Sequence, residues 1–143
     1  LSYRLHPRSL AQLGLSEALG NLCRTLGERR RIQLAFVERD LPDSIPDDAA
    51  LCLYRVAQEA LRNVVKHSRA KSAEVELRGG QGEIRLTITD SGVGYEPAQV
   101  KERNGLGVIS MRERLRALGG RLSIQSGPGE GTRVEAVVPI EQP

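Results

Sequence analysis

From Leu10 to about Arg30 the apolar residues Leu15, Ala18, Leu19, Leu22, Cys23 and Leu26 recur at intervals of three and four, with Ser16 and Glu17 near the start. That spacing predicts an amphipathic helix. Ile32, Leu34 and Phe36 then alternate with polar neighbours, as in a strand, until the run from Asp40 to Pro46 breaks the pattern. Pro46 suits the first turn of a second helix, and Asp47 and Asp48 favour its positive end. Leu53, Val56, Ala57, Ala60, Leu61 and Val64 carry that helix to about His67.

Downstream the period changes to two. Ala73, Val75 and Leu77 alternate with charged residues, Gly79 to Gly82 turn the chain, and Ile84, Leu86 and Ile88 repeat the alternation, which predicts a β-hairpin with one apolar face. The glycine-rich stretch from Ser91 to Gly107 holds few apolar residues and reads as a loop. A helix is expected from about Val108 to Leu118, closed by Gly119 and Gly120. Strands from Leu122 to Gln125 and from Val134 to Val138 follow, joined by the turn Gly127 to Gly131. The order predicts an α+β fold, a two-layer sandwich with helices on one face of a mixed, mostly antiparallel sheet.

The 143 residues fit one domain, assigned to 10–143, with residues 1–9 as the remnant of a preceding segment. Aromatic residues make up 3% and Trp is absent, so the core is aliphatic and single-strand stacking platforms are missing. The net charge of +3 is mild, and Arg29, Arg30 and Arg31 cluster where a helix C-terminus would favour cations. No nucleic-acid partner is expected. Cys23 and Cys52 stand alone among apolar neighbours, which predicts buried reduced thiols rather than a redox pair or zinc site. No apolar run approaches the roughly 18 residues of a membrane span, so a cytoplasmic segment without membrane contact is expected, with any anchor lying upstream. The chain begins at Leu1 in mid-pattern, as an excised piece would.

Three groups of residues carry candidate chemistry. Asp90 shares the parity of Ile84, Leu86 and Ile88, so its carboxylate points to the buried face, where a bare charge is costly. It either opens an ordinary turn or meets a donor such as an adenine amino group. Gly92 and Gly94 beside it leave backbone accessible. Glu59, Asn63 and Lys66 fall within about 60° of helical arc, with His67 just beyond. They form either a solvent-facing flank or a stripe that places a metal-bound triphosphate, since Mg²⁺ takes few oxygens from protein and the rest from phosphate and water. Gly105-Leu106-Gly107 stands before the expected third helix, where free N–H groups favour phosphate, although a plain helix start explains a short G-x-G about as well.

In chain order, Glu59 to His67, Asp90 to Gly94, Gly105 to Gly107 and Gly127 to Thr132 resemble the N, G1, G2 and G3 boxes of the GHKL superfamily, which includes histidine kinases, DNA gyrase B subunits, MutL proteins and heat-shock chaperones. Residues 53–63, Ser110 to Arg114 and Leu118 to Gly120 are similar to the sensor histidine kinases related to nitrate and membrane-fluidity sensors. The resemblance implies the Bergerat fold and Mg-ATP as ligand. Asp90 would bond the adenine amino group, Gly94 would lie under the base, and Thr132 would support it through water. Asn63 would coordinate Mg²⁺, Gly105 and Gly107 would meet the phosphates, Lys66 or His67 would approach them, and Glu59 would orient water or the metal shell. Residues 95–104 would form a short lid.

A protein-histidine kinase domain is thus implied, its partners an upstream dimerisation and phosphoacceptor domain and, through the homodimeric full-length kinase, a response regulator. His6 precedes Pro7, which disfavours helical geometry, so it is not expected to be the acceptor. The alternatives are a nucleotide-gated module of the anti-sigma-factor kind and a hydrolysing ATPase of the gyrase or chaperone kind.

Overall fold

In the computed structural model, which describes residues 14–68, 70–92, 97–127 and 129–140 (the backbone alone for 67–68 and 97–106), the first apolar stripe forms helix α1 (Leu15–Arg30). Its buried residues are Leu15, Ala18, Leu19, Leu22, Cys23 and Leu26, the positions that the periodicity selects. Arg31 turns left-handed at φ 55° and leads into β1 (Gln33–Arg39). That strand runs three residues past its expected end at Phe36, because Val37 to Arg39 stay in register with Glu76 to Arg78 of a neighbouring strand.

Helix α2 (Asp47–Asn63) follows directly on Pro46 and buries Leu53, Val56, Ala57, Ala60 and Leu61. Beyond Asn63 the hydrogen bonding widens into one π-type turn, Val64–Ser68, which contains Lys66 and His67. Such turns occur mostly as single insertions in helices and are frequent at functional sites. The alternating segments form β2 (Ser72–Gly80) and β3 (Glu83–Asp90), joined through Gln81 and Gly82 at φ 56° and 76°, the geometry of a tight hairpin whose twist matches its strands. After helix α3 (Pro97–Ala117), the hairpin of β4 (Arg121–Ser126) and β5 (Thr132–Pro139) inserts β5 beside β3.

The sheet order is β1-β2-β3-β5-β4, with β1 parallel to β2 and all other pairs antiparallel. One face carries Val75, Leu77, Ile84, Leu86, Ile88, Val134, Ala136 and Val138, all buried in a single core with α1, α2 and α3. Each fully buried aliphatic chain contributes roughly 1.5–3 kcal/mol. Ala57 and Ala60 face that core with little bulk, which lets α2 approach the sheet. The opposite face carries ion pairs such as Arg85–Glu135 at 2.9 Å and Arg39–Glu76 at 2.9 Å, so it is the solvent side. Both cysteines are buried and free, and burial pushes the Cys23 thiol up to about 11, leaving it protonated at neutral pH. No helix among the described residues is long and apolar enough to cross a membrane.

One expectation is corrected. Helix α3 begins at Pro97 rather than near Val108, so residues 97–104 of the expected lid, and Gly105 to Gly107 after them, lie inside a helix. Pro97 is pre-set for a first helical position, and Ala98 to Arg103 include several good helix formers. The two glycines, read as loop signals, are tolerated within the helix at about 1 kcal/mol each. The helix ends as expected: Gly119 adopts φ 76°, its N–H bonds Arg116, and the Gly120 N–H reaches the Leu115 carbonyl at 2.7 Å.

Candidate functional site

Asp90 closes β3 at the end of the sheet that faces the C-terminus of α2. It is 5% exposed, and across the ladder from it stands Thr132, 9% exposed. Burial raises the Asp90 pKa, and two backbone N–H groups, from Gly92 and Thr132, oppose the rise by bonding the carboxylate. The Gly92 N–H lies 2.8 Å from Oδ1. Gly131, at φ 75°, lets the β5 strand start hard against Asp90: a Cβ there would collide with the Asp90 carbonyl. The Thr132 hydroxyl is 3.0 Å from that of Ser126, which donates to the Gly131 carbonyl at 3.1 Å. One hydroxyl carries one proton, so Thr132 donates to Ser126 in that arrangement.

Asn63, the last residue of α2, joins Asp90 and Thr132 in lining one slot. Its walls are apolar, from Ala60 and Val64 of the second helix, Ile88 and Val134 of the sheet, Ile124 of β4 and Met111 of α3. Its volume is about 20 Å³. That is room for about one water and not for a planar heterocycle. A base can enter only if α3, with Met111, moves away from α2 and the sheet.

Glu59, Lys66 and Gly107 belong to a second space, an open cleft of about 520 Å³ over α2. Glu59 is half-buried and lies 3.9 Å from Arg62. Gly107 packs so closely on it that a Cβ at 107 would collide with the Glu59 carboxylate. Met111 lines both spaces and forms the partition between them. The expected residues therefore fall into two neighbouring groups: Asn63, Asp90 and Thr132 around the slot, with Gly92 bonded to Asp90, and Glu59, Lys66 and Gly107 along the cleft. The backbone places His67 in the π-type turn beside Lys66, and Gly105 and Leu106 in α3. Gly94 lies outside the described residues.

The apolar walls of the slot and the hydroxyl of Ser126 were not singled out from sequence. Ser126 pairs in register with Thr132, and only strand register could have exposed it. Arg112 is a further residue of this kind: its Nη1 donates to the Leu122 carbonyl at 2.9 Å and ties α3 to β4 beside the slot. Among the described residues no group of three or more His, Cys, Asp or Glu could hold a metal ion. The oxygen donors near the partition are the Asn63 amide and the Glu59 carboxylate, one helical turn apart. That set fits a hard cation held chiefly by phosphate and water.

Residues 48–142 match the family model "Histidine kinase-, DNA gyrase B-, and HSP90-like ATPase". The sensor histidine kinase MctS of Rhizobium johnstonii is 38% identical over 141 residues, covering 97% of this chain and 30% of that protein. The sensor histidine kinase LiaS of Bacillus subtilis is 38% identical over 141 residues, covering 98% and 38%. The chain thus spans about a third of the length of these relatives. Among solved structures, the histidine kinase domain of a blue-light activated histidine kinase from Erythrobacter litoralis EL346 shares the fold at TM-score 0.72 and 24% identity, over 93% of this chain and 69% of that one. Full-length ShkA in complex with AMPPNP does so at TM-score 0.71 and 22% identity, over 91% and 30%.

Proposed function

The chain belongs to the histidine kinase-, DNA gyrase B- and HSP90-like ATPase family, and on that premise we propose that it is the ATP-binding catalytic domain of a two-component sensor histidine kinase. The observation that carries the reading is the meeting of a buried carboxylate, Asp90, with Thr132 and Asn63 around one apolar-walled slot. Asp90 accepts a hydrogen bond from the adenine amino group, and Thr132 supports the base through water. The apolar walls take the two faces of the ring once α3 has moved. Similarity to sensor kinases along 97% of the chain favours this reading over an anti-sigma-like module or a hydrolysing ATPase.

Asn63 offers its amide oxygen to Mg²⁺ and Glu59 orients water in the metal shell. Bound there, the ion neutralises charge on the phosphates. Lys66, and His67 in the turn beside it, approach the triphosphate, and Gly105, Leu106 and Gly107 give it backbone N–H groups. In α3 as it stands those amides are inside a helix, so phosphate binding requires the first turns of α3 to open. Phosphoryl transfer is then mainly positioning and charge neutralisation. The acceptor histidine belongs to an upstream helical domain, to whose end residues 1–9 are assigned, and a response regulator receives the phosphoryl group from the dimeric full-length protein.

The test is transfer in trans. Incubated with γ-phosphate-labelled ATP, the chain alone should bind nucleotide and label itself negligibly, and the cognate upstream helical domain supplied as a separate chain should gain acid-labile phosphate. Robust self-labelling that is lost on His6→Gln overturns the assignment of the acceptor to another domain.

A further inference from the structure

We propose that the cleft over α2 is a docking groove for an acidic amphipathic helix of a partner protein. Its floor is the outer face of α2 and its walls are α1 and α3. Five cations line it, Arg30, Arg55, Arg62, Lys66 and Arg114, against one carboxylate, Glu59, which is already paired with Arg62 at 3.9 Å. Between the cations the walls are apolar: Leu22, Leu26 and Met111 reach the cleft although each is at most 6% exposed. Cations around an apolar strip are the complement of a helix with a leucine stripe flanked by carboxylates.

The dimensions separate this groove from the triphosphate path. Arg55 and Lys66 are eleven residues apart on one helix, about 16 Å along its axis. Lys66 and Gly107 lie at the end next to Asn63, where the phosphates belong. Arg114 lies at the other end, close enough to act on the Cys52 thiol, one turn before Arg55. A nucleotide held at Asn63 and Asp90 leaves that end uncovered. Three turns of a partner helix span the distance, with anchors at i, i+4 and i+7. No aromatic residue lines the cleft among the described residues, so base stacking has no platform there and a protein partner is favoured over single-stranded nucleic acid.

The probe is a synthetic peptide of roughly 15 residues, the length at which an isolated helix begins to hold, with Leu at the anchor spacing and Glu on either side. It is titrated into the isotope-labelled chain at physiological salt while amide shifts are followed. The expected result is saturable binding with shifts at Leu22, Leu26, Arg55 and Met111, weakened roughly tenfold or more by Arg30→Glu with Arg114→Glu. Arg24→Glu, on α1 but outside the cleft, should leave the affinity unchanged. Arg30 and Arg114 are exposed, so these variants should keep the wild-type thermal transition. If the double variant does not, each single variant should still weaken binding. Absence of binding, shifts confined to other faces, or an equal loss with Arg24→Glu overturns the proposal. So does inorganic triphosphate displacing the peptide with shifts at Arg55 and Arg114, since the groove would then be an anion site.

Discussion

Thr132 stands directly across from Asp90 in the β3–β5 ladder, and its backbone N–H and that of Gly92 both bond the buried carboxylate. The two N–H groups offset part of the cost of burying the charge, and the raised pKa of Asp90 shows that burial outweighs them. A carboxyl whose pKa is higher folded than unfolded binds its proton more tightly in the folded chain. Its contribution to stability is full below about 3.8 and is lost as pH rises through the raised folded value.

Asp90→Asn should therefore melt at or above the wild-type temperature at neutral pH, because it keeps an acceptor for the two N–H groups and removes the charge. The gap should close as pH falls below about 3.8, where wild-type Asp90 is itself neutral. Thermal unfolding of both proteins across that range checks this. A variant that melts well below wild type at pH 7 would mean that the charge is stabilised by more than the two N–H groups.

Gly107→Ala should strengthen α3 by about 1 kcal/mol of helix propensity, because Glu59, half-buried on α2, can shift its carboxylate away from the new methyl group. If nucleotide binding requires α3 to open, ATP affinity should fall as stability rises. Denaturant unfolding and ATP titration should then move in opposite directions, and Glu59→Ala in the same chain should relieve the crowding without restoring affinity. Parallel changes in the two measurements would show that α3 binds ATP without opening.

Asn63→Ala removes the amide oxygen proposed for Mg²⁺ while leaving the apolar walls of the slot in place. The gain in ATP affinity on adding Mg²⁺ should shrink by about 1–3 kcal/mol, with affinity in the absence of Mg²⁺ little changed. A Mg²⁺ effect as large as in wild type places the ion elsewhere.

The core was legible in the sequence wherever a period was long and uninterrupted. The stripe from Leu53 to Val64 is buried as read, and the parity that put Asp90 with Ile84, Leu86 and Ile88 is the parity of the sheet's inner face. The order of strands was not legible, since nothing local in Val134 to Val138 says that β5 enters between β3 and β4. The third helix was misjudged at its start, because Gly105 and Gly107 outweighed Pro97 and the helix formers after it. The narrowness of the slot was also hidden. It depends on Met111 packing against residues of α2, β3, β4 and β5, which are distant in sequence and meet only in the fold.

The most direct measurement is a titration of the wild-type chain with Mg-ATP and with Mg-GTP, followed by amide shifts. Adenine presents an amino donor where guanine presents a carbonyl, so a buried carboxylate at Asp90 should pair with the first and repel the second. The expected result is ATP bound tenfold or more tightly than GTP, roughly what an unpaired buried polar group costs, with shifts at Asp90, Gly92, Asn63 and Thr132. Equal affinities for the two nucleotides, or ATP binding that leaves those amides unmoved, would contradict the assignment of this slot as the nucleotide site.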